Sequence, residues 1–290
     1  MLFFTRYTLA RALTKQLCIL ACTGLGITPL VAADFNPVNV TGFNFDAVVE
    51  SNSGNYSATA QSLDATGNVF YEVGLPGSAG ASGLPTSETV AASTGNNTYS
   101  FQLASYGNNN VLVSNSLIIA PGSGGHAFVP LTLNTSAGFQ SMAFLGFSTE
   151  AQPATAIGDI QLTFTDNSTS IYAGALDIPD WYVGNGTASH PLIYNSTGRV
   201  NIINNLFNQN LAGVTAADGG KLFASVITLT GIDQTKLVQS VGFRITSSTA
   251  SDRTYIMGAA AVPAVPEPGT LALLALAAGS WATLRRRKAR

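Results

Sequence analysis

Between Asp159 and Thr165 the apolar residues Ile160, Leu162 and Phe164 alternate with Gln161, Thr163 and Thr165. A period of two places one set of side chains on each face of a strand, so this run predicts a strand with one buried face. The pattern returns in Tyr99, Phe101 and Leu103 around Ser100 and Gln102, and in Val241, Phe243 and Ile245 around Gly242 and Arg244. Further strands are predicted near Val38 to Glu50, Val69 to Val73, Val111 to Ile119, Val129 to Leu133, Met142 to Phe147, Ser170 to Ala175, Leu222 to Leu229 and Thr254 to Ala260. Clusters such as Ser51 to Asn55, Gly107 to Asn110 and Pro121 to Gly125 separate them, and Asp166 to Thr169 reads as a hairpin turn. Glycine, asparagine and aspartate tolerate the backbone angles that chain reversal needs. More than ten short strands at this spacing predict an all-β fold, an antiparallel β-sandwich of jelly-roll type. One segment departs from the pattern. From Asn201 to Thr215, Ile202, Ile203, Leu206, Phe207, Leu211 and Val214 fall at helical spacing among many asparagines, so a short helix and a long ordered loop are both open. Pro153 is a candidate boundary between two smaller sandwiches; a single domain is the expectation.

Both ends differ from this body. Arg6, Arg11 and Lys15 precede a mostly apolar Leu17 to Leu30, and Val31-Ala32-Ala33 supplies small residues for signal peptidase, which predicts a signal peptide over residues 1–33. A competing cut before Cys22 would follow a loose lipobox, Ile19-Leu20-Ala21-Cys22. Cys18 and Cys22 are the only cysteines, so a chain cut after Ala33 has no disulfide, thiolate nucleophile or cysteine-bound zinc. The remaining body, residues 34–262, is long enough to stand on its own core. It holds five basic residues against fourteen acidic ones, a net charge of −9 that the whole-chain value of −2 conceals. Scattered cations on an acidic body argue against nucleic acid as a partner.

Catalytic signatures are scarce. GxSxG, Walker-type and HExxH motifs are missing, and the Asp-x-Asp-x-Asp-Gly order of a calcium loop is not found. His126 and His190 have no sequence neighbour at ligand spacing, so no metal centre and no cofactor is expected. Fourteen carboxylates include enough for a glycosidase pair, yet Asp64, Asp166, Asp218, Asp233 and Asp252 sit where aspartate caps its own turn. The expectation is therefore a non-enzymatic body. Asp180-Trp181-Tyr182 holds the body's only tryptophan. An aromatic face beside a carboxylate suits sugar recognition, while a lone tryptophan between Pro179 and Gly184 also suits a core plug at a sheet end. The order Thr163-Phe164-Thr165-Asp166, Asp180-Trp181-Tyr182, Gly198-Arg199-Val200-Asn201 and the two strands after it resembles the second half of β-sandwich modules appended to bacterial surface proteins and glycosidases. That resemblance implies a role for Asp180, Trp181, Arg199 and Asn201, either as a sugar-binding site or as ties within the sandwich.

Residues 263–290 have three parts. Pro266-Glu267-Pro268 is an extended, accessible triplet, because proline fixes φ and withholds a backbone donor. Thr270 to Leu284 follows without a charge; as a helix it would span roughly 22 Å, short of the ~30 Å hydrocarbon core, and is read as a short transmembrane helix. Arg285, Arg286, Arg287, Lys288 and Arg290 then form a basic stop-transfer tail that holds its end in the cytoplasm. The order resembles the PEP-CTERM sorting signal of Gram-negative bacteria. The resemblance implies cleavage by exosortase near the triplet after a transient stay in the inner membrane with the body in the periplasm. Display on the cell surface or release then follows, often where exopolysaccharide is made. The expected function is a surface or extracellular-matrix protein; a carbohydrate-binding module is the alternative, and a glycan-active enzyme the second.

Overall fold

Phe139–Thr149 and Arg253–Pro263 are the strands that break the period-two rule: every residue from Met142 to Thr149 and from Thr254 to Ala261 is buried. A strand buried on both faces needs a layer on each side. The computed structural model describes residues 32–56, 59–115, 127–149, 155–182, 186–208, 219–246 and 253–264, and in it these two strands have such layers. The strands in chain order are β1 (Asp34–Val38), β2 (Val40–Thr41), β3 (Val48–Val49), β4 (Asn68–Tyr71), β5 (Thr89–Thr94), β6 (Asn97–Gln102), β7 (Leu112–Asn115), β8 (Val129–Ala137) and β9 (Phe139–Thr149). There follow β10 (Thr155–Phe164), β11 (Thr169–Pro179), β12 (Leu192–Asn195), β13 (Arg199–Asn201), β14 (Leu206–Asn208), β15 (Lys221–Thr228), β16 (Val238–Ile245) and β17 (Arg253–Pro263).

They form three sheets. The largest has the order β12-β15-β9-β17-β1-β6-β5, with β7 also paired to β17; the second is β11-β10-β16-β8-β2, and the third is β14-β13-β4-β3. Met142, Phe144, Ile256 and Ala259 of the large sheet face Ile160, Leu162, Val241 and Phe243 of the second. Phe144 meets Phe243 edge-on, with centroids 5.1 Å apart. The alternate residues Ala143, Leu145, Phe147, Tyr255 and Met257 turn the other way, onto Val48, Phe70, Tyr71 and Val200 of the third sheet. The large sheet is thus a middle layer. Burying a phenylalanine of this kind contributes about 1.5–3 kcal/mol, which explains why the charge-poor chain holds together without a disulfide among its described residues.

The all-β expectation holds, and most pairings are antiparallel. Two are parallel, β1 with β6 and β3 with β4, so the large and four-stranded sheets are mixed while the five-stranded sheet is wholly antiparallel. The strand expected over Val38 to Glu50 is three short pieces, because Gly42 at φ +108° turns the chain where its absent Cβ would lie 3.0 Å from the Pro130 carbonyl oxygen. Asp166 to Thr169 is a hairpin turn between β10 and β11, with Asn167 at φ 63°. At Asn201 no helix starts: Asn201 ends β13, a turn follows, and Leu206–Asn208 pairs back antiparallel as β14. Over residues 201–208 the apolar spacing reflects a tight hairpin with Ile203 and Leu206 exposed rather than one helical face; Leu211 and Val214 lie outside the described residues. The described residues from Ala33 onward group as one compact unit; Pro153 itself lies outside the described residues. Residues 1–31 of the predicted signal peptide, residues 265–290, the end of the strand expected over Val111 to Ile119 and the loop at Pro121 to Gly125 lie outside the described residues. Among those described, no helix is long and apolar enough to cross a membrane.

Within the large sheet the register fixes the direction of each strand relative to β9. β17 is antiparallel to β9, Arg253 opposite Thr149 and Pro263 opposite Phe139. β1 is antiparallel to β17, with Asn36 opposite Ala261 and Val38 opposite Ala259. The body therefore begins and ends at the Phe139 end of the middle sheet. Eleven residues of β9, at about 3.3 Å each, put the Thr149 end roughly 33 Å away.

Candidate functional site

A cleft of about 590 Å³ opens at the Thr149 end, and Asp180, Trp181, Arg199 and Asn201 all line it. Each arrives from a different stretch of chain. Asp180 follows the last residue of β11 and bridges in parallel to Ser148 of β9. The Trp181 amide donates to the Ser148 carbonyl at 2.8 Å, and the Lys221 amide to the Trp181 carbonyl at 3.0 Å. Asp180 Oδ1 accepts from the Tyr182 amide at 2.8 Å, so its carboxylate caps the turn that presents Tyr182. Lys221 Nζ donates to the Tyr182 carbonyl at 3.1 Å.

Trp181 is only 2% exposed. Its indole lies 5.1 Å from the Phe70 ring and 5.8 Å from Phe147, which in turn stacks on Tyr255 at 4.8 Å. It is the plug that joins the middle and third layers, with its bulk committed to packing. Arg199 and Asn201 leave β13, whose Val200 pairs with Val69. The Arg199 guanidinium carbon lies 4.4 Å from the Tyr182 ring centroid and 5.4 Å from that of Trp181. A guanidinium over two rings is held by cation–π attraction of about 0.5–2 kcal/mol.

The opposite wall comes from the loop before β4, which the sequence pointed to only as a self-capping aspartate. Asp64 Oδ1 accepts from the amides of Thr66 and Asn68, both at 3.0 Å, and Oδ2 accepts from Asn68 Nδ2 at 3.1 Å. Asn201 Nδ2 donates to the Thr66 carbonyl at 2.7 Å, and its Oδ1 accepts from the Ile203 and Asn204 amides at 3.1 and 3.2 Å. Asn201 thus ties the two loops together. Gly67 sits between them at φ +85°, where a Cβ would fall 2.5 Å from Ile203 Cγ1. Asp64, Ala65, Thr66, Asn68, Asn204 and Tyr182 complete the lining; the run Asp64-Ala65-Thr66-Gly67-Asn68 was the available signal, since aspartate two residues before threonine, with glycine next, marks a turn that presents polar groups. Behind the wall, burial pushes the Tyr71 hydroxyl up, so it stays a protonated donor to the Thr197 carbonyl at 2.5 Å.

His190 is buried and its Nδ1 lies 3.4 Å from Asp177 Oδ2, away from the cleft lining; His126 lies outside the described residues. No cluster of three metal-ligating side chains occurs among the described residues.

No curated protein matches the chain, and no solved structure matches it. One family does, the PEP-CTERM protein-sorting motif, over residues 264–288. The match starts one residue after β17 ends and takes in Pro266, Glu267 and Pro268, the apolar run, and Arg285, Arg286, Arg287 and Lys288; Arg290 lies beyond it. The chain therefore carries a PEP-CTERM sorting motif at residues 264–288, the mark of an exported protein sorted through exosortase.

Proposed function

We propose that the body is a non-enzymatic surface or extracellular-matrix domain, delivered by the sorting motif and left outside the cell when exosortase cuts near Pro266-Glu267-Pro268. The observation that carries this reading is the abutment of the motif on β17: a cut at the triplet leaves every described strand on the released product. The eight- and five-stranded sheets are read as its jelly-roll-like sandwich, with the four-stranded sheet added over the outer face. Both cleft carboxylates serve local turns, which supports a binding rather than a hydrolytic role. The test is intact mass with cell fractionation in wild-type and exosortase-deficient cells. The expected result is loss of the residues after roughly Pro268 in the wild type alone, and mature body found in the cytoplasm with its tail intact would overturn the reading.

Convergence of Asp180, Trp181, Arg199 and Asn201 on one cleft favours a second, compatible reading, in which the body binds exopolysaccharide. Carboxylates, amides and a guanidinium around the Tyr182 ring match the alternating hydroxyls and C–H faces of a sugar. With Trp181 committed to packing, half-buried Tyr182 is the cleft's remaining aromatic ring, and a sugar would stack on the face that Arg199 does not cover. Calorimetric titration of the released body with host polysaccharide is expected to show binding that falls about tenfold in Tyr182→Ala or Arg199→Lys, a loss of about 1.4 kcal/mol. Equal affinity of both folded variants and parent would remove the cleft from the account.

A further inference from the structure

The Phe139 end of the middle sheet carries the chain's exit. The Ala264 amide donates to the Gly138 carbonyl at 3.1 Å, so the chain is pinned to the sheet up to the first residue of the sorting motif. Only residues 265–269 then precede the apolar run, and five residues reach at most roughly 17 Å. Pro266 and Pro268 keep that connection stiff. While the tail is in the bilayer, this end of the body cannot leave the lipid surface.

The end is shaped accordingly. The 3₁₀ turn Gly231–Thr235 and the Lys236-Leu237 pair pack beside Gly138 and Ala264, and they expose Ile232 (69%) and Leu237 (48%). Ile171, on the strand whose neighbour Ser170 donates to Asp233 of the same turn, is 51% exposed. The charged groups near these side chains have partners within the protein: Lys236 Nζ lies 3.1 Å from Asp166 Oδ2, and the Asp233 carboxylate accepts from the Ser170 hydroxyl and from the Tyr172 hydroxyl at 3.0 Å. The turn is held from within by Gln234 Nε2 donating to the Leu229 carbonyl at 2.6 Å.

We propose that this end is a membrane-resting surface, with Ile232 and Leu237 seated in the lipid headgroup region during the anchored stage and the cleft held roughly 33 Å outward. Exposed isoleucines also occur at the cleft end, so exposure alone does not choose between the ends; the short tether does. The proposal rests on the reading that the apolar run anchors the chain in the bilayer.

The test labels single cysteines with an environment-sensitive fluorophore in the full chain, with Cys18 and Cys22 replaced by alanine. Ile232→Cys is compared with Asn204→Cys, an exposed position at the cleft. Protein from exosortase-deficient cells is reconstituted into phosphatidylethanolamine–phosphatidylglycerol vesicles carrying lipid-bound quenchers. The expected result is a blue-shifted emission and several-fold stronger quenching at 232, with none at 204. Vesicle-bound protein in which both positions remain equally wet would overturn the surface and leave the anchor standing. Failure to sediment with vesicles would overturn both. A shift at 232 seen only when inactive exosortase is added would assign the surface to that enzyme and overturn the lipid assignment.

Discussion

At the Thr149 end of the middle sheet the chain buries Trp181 against Phe70 and Phe147, lays Arg199 over two rings and ties two loops through Asn201. At the Phe139 end, the same strands finish in short turns, expose Ile232 and Leu237, and release the chain toward its sorting motif. The first end is a wall of interlocked polar groups over an aromatic floor, and any side chain removed there leaves a hole or an unpaired partner. At the second, the turns satisfy themselves locally and leave apolar atoms in solvent. Stability is concentrated where loops from distant parts of the sequence must be held in register, and it is thin where the chain only has to leave.

The sharpest test of that difference is Trp181→Ala against Ile232→Ser. Loss of a fully buried indole at the junction of the middle and third layers is expected to cost about 3–5 kcal/mol, with partial collapse around Phe70 and Phe147. Ile232→Ser, on a side chain 69% exposed, should fall within about 0.5 kcal/mol of the parent. Urea midpoints of the two variants measure both, and similar losses would erase the contrast. Gly67→Ala should lie between them. Its φ of +85° strains any L side chain by about 1–2 kcal/mol, whereas the close atoms belong to the exposed Ile203 side chain, which has room to give way. The same variant should weaken polysaccharide binding, because the turn carries Thr66 and Asn68.

How much of this was legible beforehand depends on the physical range of each signal. Alternation is local, so the strands β10, β16 and β6 and the Asp166–Thr169 hairpin could be read directly. Asp180, Trp181, Arg199 and Asn201 were singled out together, and they do share one cleft. The third layer could not be read, since it is declared only by residues such as Ala143, Leu145 and Phe147, whose burial on the far face depends on β4 and β13 being there. Continuous apolar runs at Met142 to Phe147 and Thr254 to Ala260 were the available hint. Asn201 to Thr215 was ambiguous for a related reason: Ile203 and Leu206 stay in solvent, so their spacing carried no information about a buried face. For Trp181, periodicity said nothing about depth, and only the aromatic neighbours from β4 and β9 decide that its faces are occupied.

The smallest expected effects are in the pH dependence, where two aspartates outside the cleft pull in opposite directions. Burial raises the Asp46 carboxyl from 3.8 to about 6, against a 2.6 Å hydrogen bond from Asn110 Nδ2 that lowers it. Folded protein then holds a proton that the unfolded chain has lost, so stability is greatest below about 3.8 and falls as pH rises through about 6. Asp46→Asn keeps an acceptor for Asn110 and removes the penalty. It should raise the urea midpoint at pH 7 and leave it unchanged at pH 3.5. Asp166, beside the exit, is held down to about 2 by the Ser168 hydroxyl and amide and then by Lys236. Its contribution is present above 3.8 and fades as pH drops toward 2, so Asp166→Asn should flatten the acid limb and lower the midpoint only slightly at pH 7. A gain for Asp46→Asn that persists undiminished at pH 3.5 would show that the side chain is not desolvated in the way its surroundings require. An Asp166→Asn loss at pH 7 as large as that of Gly67→Ala would mean that the exit end carries more of the fold than its exposed turns suggest.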